Sequence, residues 1–259
     1  MNLIRMTEDG HIGTLWLDNP TKLNALSHQL VEEVMAALKH LEDTKARVVI
    51  LRAQPGSKVW SAGHDVNELP TDGRDPLGWS DPLRELVRTI ENFPAPVIAM
   101  IDGGVWGGAV EVVLACDIII ATPQSKFAVT PARMGVPYNV SGMMTFMSAA
   151  SLRIVKELAF TAAPITAARA EHVGMINHVI EAPELEAFTQ TMAATIAANA
   201  PLSIAVMKEQ LRVLAGAKPL TPRGFEKVQG LRRLVYDSQD YQEGIRAFKE
   251  KRPPQFTGS

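Results

Sequence analysis

A chain of 259 residues with 46% hydrophobic and 21% charged residues can bury a large core, and its length is ordinary for one large α/β unit. The net charge of −2 and the pI near 6.3 argue against nucleic acid as the main partner, because no face needs to be strongly basic. These values still allow a small anionic ligand that is held by a few lysines.

The cellular setting is indicated by cysteine content and by the most apolar segments. The single cysteine, Cys116, excludes an intrachain disulfide and suits a reducing compartment. The N-terminal MNLIRMTEDG is too polar for a signal peptide. The most apolar stretch, VEVVLACDIIIA (110–121), contains Glu111 and Asp117 and is far too short to span a bilayer. We therefore expect a cytoplasmic protein with no membrane partner.

Strand and helix patterns alternate along the first half of the chain, which is typical of an α/β class with parallel strands. The strands are expected in 11–20, 47–53, 96–102 and 117–122, and the helices in 26–43, 82–93 and 108–116. Between them, PTDGRDPLGWSDP (70–82) is expected to be a mobile loop over a site, and GGVWGG (103–108) a glycine-rich turn.

After about residue 148 only helical patterns follow. They cover SLRIVKELAFT (151–161), TAARAEHVG (166–174), ELEAFTQTMAATIAANA (184–200), PLSIAVMKEQLRVLAG (201–216) and FEKVQGLRRLVYD (225–237). No linker is long enough to separate independent domains. We expect an α/β core over residues 1–200 and a helical region over 201–259, which packs on the core or on a neighbouring subunit.

Several familiar sites are excluded by their motifs. The chain has no GxGxxG or GxxxxGK[ST] phosphate loop and no GxSxG nucleophile turn. Its six histidines lack HExxH spacing and there is no cysteine pair, so we expect no metal site. The segment 61–65 contains Ser61, His64 and Asp65, which are the residue types of a catalytic triad. A triad normally gathers its side chains from distant segments, so these near neighbours are a poor candidate.

Two small-residue segments remain, SAGHD (61–65) and GGVWGGAVE (103–111), and each follows an apolar strand pattern. Backbone N–H groups at the start of a helix lack intrahelical partners, and glycines let a ligand approach them closely. Two such N–H groups that converge on one oxygen form an oxyanion hole. The alternative is that both segments are tight turns needed for packing, which are common in α/β folds.

Four motifs together resemble the enoyl-CoA hydratase/isomerase, or crotonase, superfamily, in its order and along essentially the whole chain. They are KLNAL (22–26), WSAGHD (60–65), DGGVWGGAVEVVLACD (102–117) and SQDYQEGIRAFKEKRPPQF (238–256). The resemblance implies a spiral core of repeated ββα units with a C-terminal helical trimerisation part, assembled as homotrimers or dimers of trimers. It also implies an acyl-CoA substrate whose thioester oxygen is held by the N–H groups of His64 and Gly108, while the His64 imidazole only lines the pocket.

Which reaction follows depends on the side chains around the enolate. The family's hydratases use two glutamates, and the first aligns with Glu111. The second is replaced by Pro131, which cannot act as an acid or a base. Each positioned acid–base group typically contributes about 10²–10⁴-fold to the rate, so hydration and isomerisation are disfavoured. Loss of CO2 from a malonyl thioester yields the enolate directly and needs no base, and Tyr138 is a neutral donor for the departing carboxylate.

The resemblance is sharper to family members that decarboxylate methylmalonyl-CoA. The shared segments are SAGHDVNELP (61–70), DGRDPL (72–77), GVWGGAVE (104–111), TPARMGVPYN (130–139) and KELAFTAAPITA (156–167). Propionyl-CoA is the implied product, and no external cofactor is implied. The resemblance implies that the thioester region of CoA is lined by Ala62, Gly63, His64, Asp65 and Val66, with Gly108 opposite. It implies that Thr130 lies near the acyl group and that Tyr138 contacts the substrate carboxylate. Lys251 and, more weakly, Lys22 are implied to contact the nucleotide part of CoA.

Alternatives stay open at this point. Glu111 persists although decarboxylation does not require it, and hydration or isomerisation with Glu111 alone is the second hypothesis. A non-catalytic acyl-CoA-binding protein on the same fold is the third. Tyr138 could instead be a loop tyrosine that packs on the core, and Lys22 and Lys251 could be solvated surface charges, as most lysines are.

Overall fold

The computed structural model describes residues 2–70, 75, 77–216 and 222–257. The predicted loop 70–82 and its motif DGRDPL (72–77) therefore lie partly outside the described residues, as does part of the predicted region 201–259.

Within the described residues, short strands and helices follow one another in the order that an α/β class requires. The strands are β1 (Ile4–Asp9), β2 (Ile12–Leu17), β3 (Val48–Ala53), β4 (Val59–Ser61), β5 (Val97–Ile101), β6 (Gly104–Trp106), β7 (Ile118–Ala121), β8 (Lys126–Ala128), β9 (Ile165–Thr166) and β10 (His178–Val179). The helices are α1 (His28–Asp43), α2 (Pro82–Asn92), α3 (Gly108–Ala115), α4 (Val140–Ala149), α5 (Leu152–Thr161), α6 (Ala167–His172), α7 (Ala182–Ala198), α8 (Pro201–Ala215), α9 (Pro222–Tyr236) and α10 (Gln239–Lys249).

The strands form two sheets. The larger has the order β1-β2-β3-β5-β7-β10, and every neighbouring pair except β1 and β2 is parallel. The smaller has the order β4-β6-β8-β9, with β4, β6 and β8 parallel. Two strands followed by a helix recur as β1-β2-α1, β3-β4-α2 and β5-β6-α3. The predicted α/β class with repeated ββα units is therefore confirmed.

The central strands β3, β5 and β7 of the larger sheet are covered on both faces, which explains why they read as nearly continuous apolar runs. Val49 and Leu51 of β3 face the main core with α1, α2 and α3, whereas Val48 and Ile50 belong to a second cluster that α7 covers with residues such as Leu185. Helix α2 packs between α1 and α3, which brings its first turn close to the segments that follow β4 and β6.

Two sequence-based expectations need correction in the smaller sheet. The segment 103–108 was expected to be a glycine-rich turn, but Gly104–Trp106 forms β6. The segment that carries His64 does not follow β3 directly, because β4 intervenes. Strands of three residues are too short to show an alternating pattern, and their position comes from pairing with distant strands. Helices α4 and α10 were likewise not predicted.

Candidate active site

Two backbone N–H groups face each other where β4 and β6 end side by side. His64 is the third residue after β4, and Gly108 is the first residue of α3, two residues after β6. A Cβ atom built on Gly108 would lie 3.6 Å from the His64 nitrogen. Among the described residues, neither the His64 N–H nor the Gly108 N–H has a hydrogen-bond partner. Both donors are therefore available to a ligand atom.

Glycine is required where these two segments approach each other. Gly63 has a φ of +86°, and a Cβ atom there would lie 2.4 Å from the Trp106 carbonyl oxygen and 3.0 Å from the Gly108 nitrogen. Gly107, which precedes α3, has a φ of +54°. Such backbone conformations favour glycine, and the missing side chains bring the two donors together.

A cavity of about 360 Å³ lies against both donors. Its wall includes eight of the predicted site residues, namely Lys22, Ala62, His64, Asp65, Val66, Gly108, Thr130 and Tyr138. The rest of the wall is largely apolar and includes Leu69, Leu77, Leu83, Val136 and Phe248. The predicted residues Gly63, Glu111 and Lys251 do not line it. The cavity thus combines an apolar wall with a few polar groups, which is typical of small-molecule sites.

The His64 imidazole is held at both ring nitrogens. Nδ1 lies 3.1 Å from the Asp65 carbonyl oxygen, and Nε2 lies 3.2 Å from Oδ2 of Asp81. Burial by itself would lower the pKa of His64, but the Asp81 hydrogen bond and charge, together with the Asp65 carbonyl, raise that pKa above its ordinary value. The imidazole thus lines the pocket and also contacts Asp81, a residue that the sequence analysis missed.

Tyr138 stands on the cavity wall just before α4. Its ring meets Phe146 edge to face, with centroids 5.0 Å apart, and a Cβ atom on Gly142 would come within 2.6 Å of that ring. The hydroxyl oxygen is buried and has no hydrogen-bond partner among the described residues. Burial raises the pKa of the Tyr138 hydroxyl, which keeps it protonated as a donor. Asn139, also missed, caps α4 and donates to the Leu77 carbonyl oxygen.

Glu111 is fully buried inside α3, and one of its carboxylate oxygens pairs with Arg84 of α2. The Arg84 side chain is only 5% exposed, so the pair is shielded from water. The other carboxylate oxygen, Oε2, has no hydrogen-bond partner within the described ranges. Sequence analysis missed Arg84, because no motif links two residues that are 27 positions apart. Pro131, at the other hydratase position, begins a 3-10 turn that lines the cavity.

The two predicted nucleotide lysines differ in position. Lys22 is 62% exposed at the cavity wall and pairs with Asp65 at 3.6 Å. Lys251 is exposed just after α10. Its backbone N–H donates to the carbonyl oxygen of Phe248, and Phe248 lines the cavity. Phe248 was not predicted, although it lies in the quoted motif 238–256.

Metal-binding clusters and membrane-spanning helices are absent from the part of the chain that the structure describes. No group of three or more His, Cys, Asp or Glu residues there could hold a metal ion. None of the described helices combines the length and the apolar character that crossing a membrane requires.

Comparison with known proteins places this geometry in context. A family model for enoyl-CoA hydratase/isomerase matches residues 7–259. Methylmalonyl-CoA decarboxylase of Escherichia coli K12 is 54% identical over 237 residues, which is 92% of this chain and 91% of that protein. A solved methylmalonyl-CoA decarboxylase in complex with 2-nitronate-propionyl-CoA superposes with a TM-score of 0.98 at 50% identity, covering 99% of each chain. A second, complexed with 2S-carboxypropyl CoA, gives the same TM-score and identity over 100% of this chain and 99% of that one.

Proposed function

This chain belongs to the enoyl-CoA hydratase/isomerase family, and from that premise we propose that it decarboxylates methylmalonyl-CoA to propionyl-CoA. Its 54% identity to the Escherichia coli methylmalonyl-CoA decarboxylase extends over nearly the whole chain and supports this carboxy-lyase activity. The complexed structures of methylmalonyl-CoA decarboxylase support an acyl-CoA substrate.

The reaction uses the backbone donors as an oxyanion hole. The N–H groups of His64 and Gly108 bind the thioester oxygen. The bond between Cα and the substrate carboxylate then breaks, CO2 leaves, and the bonding electrons move through Cα to the thioester oxygen. Donors that are already aimed at this developing charge stabilise the enolate without reorganisation. A proton then adds to Cα and gives propionyl-CoA. Because the thioester itself accepts the electron pair, the reaction requires no external cofactor.

The observation that carries the proposal is Tyr138, a residue of the cavity wall whose buried hydroxyl has no hydrogen-bond partner in the described part of the chain. A protonated phenol is a neutral donor that can orient a carboxylate, while the apolar wall removes water from it. The hydratase alternative is weakened at both carboxylate positions. Pro131 occupies one of them, and the Glu111 carboxylate at the other is already paired with Arg84.

The remaining site assignments belong to the same proposal. Ala62, Asp65 and Val66 line the thioester side of the cavity, Gly63 allows the close approach of the backbone behind it, and Thr130 contacts the acyl group. Lys22 at the cavity wall and Lys251 beside α10 bind the nucleotide part of CoA as point charges on phosphate. The assignment of Lys22 is supported by its location on the cavity wall. The assignment of Lys251 is supported by its backbone hydrogen bond to Phe248, which lines the cavity.

A homotrimer or a dimer of trimers is proposed for the assembly, with the helical region 201–259 as its trimerisation part. The support is an apolar surface on α8, whose exposed side chains include Leu202, Val206, Met207, Leu211 and Leu214. Exposed apolar side chains grouped on one helix are a common mark of an interface between proteins. The division of the chain at residue 200 and the cytoplasmic location remain proposals, the latter supported by the buried, free Cys116 thiol.

The test is a mass-resolved incubation of the purified protein with methylmalonyl-CoA, malonyl-CoA and crotonyl-CoA in parallel. We expect propionyl-CoA from methylmalonyl-CoA. Formation of 3-hydroxybutyryl-CoA from crotonyl-CoA, with no propionyl-CoA, would overturn the proposal in favour of hydration.

Two tyrosine variants make this test specific. Tyr138→Phe removes a hydrogen bond to a charged group, so kcat should fall about tenfold or more while CoA affinity stays nearly unchanged. Tyr241→Phe is the matched control, since the Tyr241 hydroxyl donates to the Pro70 carbonyl oxygen and does not line the cavity. Equal kcat values for the two variants would return Tyr138 to a packing role.

A further inference from the structure

The first turn of α2 contacts both oxyanion-hole segments. Asp81 caps the helix, because its Oδ1 accepts from the N–H groups of Leu83 at 3.0 Å and Arg84 at 3.4 Å. Its second oxygen, Oδ2, holds the His64 imidazole. Leu83 packs on the other donor, since a Cβ atom on Gly108 would lie 2.6 Å from the Leu83 Cδ2 atom. The start of this helix thus touches the segments that carry both N–H groups.

The two contacts of the His64 ring are compatible with only one charge state. The Asp65 carbonyl oxygen and the Asp81 carboxylate oxygen are both acceptors, so each ring nitrogen must donate a proton. A neutral imidazole has one N–H and can satisfy only one of them. Among the described residues, Asp81 lies in contact with the ring and Glu68 on the neighbouring 3-10 turn also acts on it, while the adjacent Asp65 carboxylate is paired with Lys22. The net effect of this surrounding is to raise the pKa of His64.

We propose that Asp81 is a positioning residue: by holding the His64 imidazolium it fixes the backbone at residue 64, so that the His64 N–H and the Gly108 N–H stay aimed at one oxygen. The inference rests on the proposed function, because it assigns Asp81 a role in the oxyanion hole of that reaction. Small displacements of positioned groups are costly, and a shift of about 1 Å can lower a rate by roughly 10²-fold.

Two substitutions separate this role from helix capping. Asp81→Ser keeps an N-cap residue but shortens the side chain, so the contact to His64 is lost. Asp81→Asn also keeps the cap, and its amide N–H can donate to the Nε2 lone pair of a neutral imidazole. Thr166→Ala is the matched control, because Thr166 caps α6 and does not line the cavity.

We expect the Asp81 variants to lower kcat or to change how kcat depends on pH, and Asp81→Asn to reverse the direction of that dependence relative to the wild type. In the wild type, kcat should fall about tenfold as pH rises through the His64 pKa, because one of the two ring contacts is lost. In Asp81→Asn the neutral ring is the one that is held, so kcat should fall as pH decreases instead. Asp81→Ser should lose about tenfold in kcat at every pH with little change in KM. Thr166→Ala should retain the wild-type pH profile. NMR titration of the six histidines should show a lower His64 pKa in Asp81→Asn.

Distinct outcomes overturn the two proposals. If the wild type produces propionyl-CoA and Asp81→Asn keeps both its kcat and its pH profile, Asp81 does not position the donor. The same conclusion holds even if NMR shows that the His64 pKa has moved. If the wild type produces no propionyl-CoA at any pH, the proposed function fails, and the positioning role fails with it.

Discussion

Replacement of Arg84 by methionine tests whether the buried pair with Glu111 is a structural element of the core. The side chains of Arg84 and Glu111 are 5% and 0% exposed. Removing one partner from such a pair leaves a buried charge without compensation, which typically costs about 3–5 kcal/mol. The double variant Arg84→Met/Glu111→Leu removes both charges, and apolar replacement of a buried pair is often close to neutral. We therefore expect the double variant to be more stable than the single one.

The effect of pH on Arg84→Met has a definite sign. Without the guanidinium, the buried Glu111 carboxylate has no counter-charge, and protonation removes this uncompensated charge. The destabilisation should therefore decrease as pH falls.

Urea denaturation at pH 7 and pH 5 measures these differences, at one fixed protein concentration because assembly affects apparent stability. The destabilisation by Arg84→Met should be smaller at pH 5 than at pH 7, and the double variant should not show this trend. An Arg84→Met protein as stable as the wild type at pH 7 would refute the reasoning, since the carboxylate would then have another means of compensation.

Three further substitutions address the backbone, the nucleotide and the C-terminal segment. Gly63→Ala places a methyl group 2.4 Å from the Trp106 carbonyl oxygen at a φ of +86°, so both Tm and kcat should fall; a wild-type Tm would contradict this. Lys251→Ala should raise KM for CoA thioesters without changing kcat and should weaken the dependence of KM on salt; an unchanged KM would make Lys251 a surface charge. Glu243 accepts two hydrogen bonds from Arg252, so Glu243→Ala should release the segment after α10, and limited proteolysis should cut it faster than in the wild type.

Local patterns were sufficient to predict the elements that are buried on both faces or strongly amphipathic. Every residue of β3 and β5 is buried, so β5 reads as one apolar run and β3 as an apolar run that only Arg52 interrupts. The small residues of the segments 61–65 and 103–111 likewise indicate close backbone approach. These features depend on neighbours in sequence, which is why the sequence displays them.

Contacts between distant segments were not predictable in this way. Asp81 reaches His64 across 17 positions, and Arg84 reaches Glu111 across 27, because the order of the strands brings α2 against both segments. The charge partner of Glu111 could not be named from the chain, and its role therefore stayed open. A similar limit applied to Phe248, which reaches the cavity wall from α10.

The two donors that face the cavity are peptide N–H groups, and this has a consequence for how such an enzyme can change over evolution. A point mutation replaces a side chain, and only proline removes a backbone N–H. Most substitutions at His64 therefore keep the N–H itself, although they remove the imidazole that Asp81 holds. Under the proposed function, new reactions can arise by exchange of wall residues such as Pro131 and Tyr138, while the backbone donors for an enolate oxygen are inherited. A library of variants that changes only the residues lining the cavity would sample other reactions of enolates and would keep both backbone N–H donors.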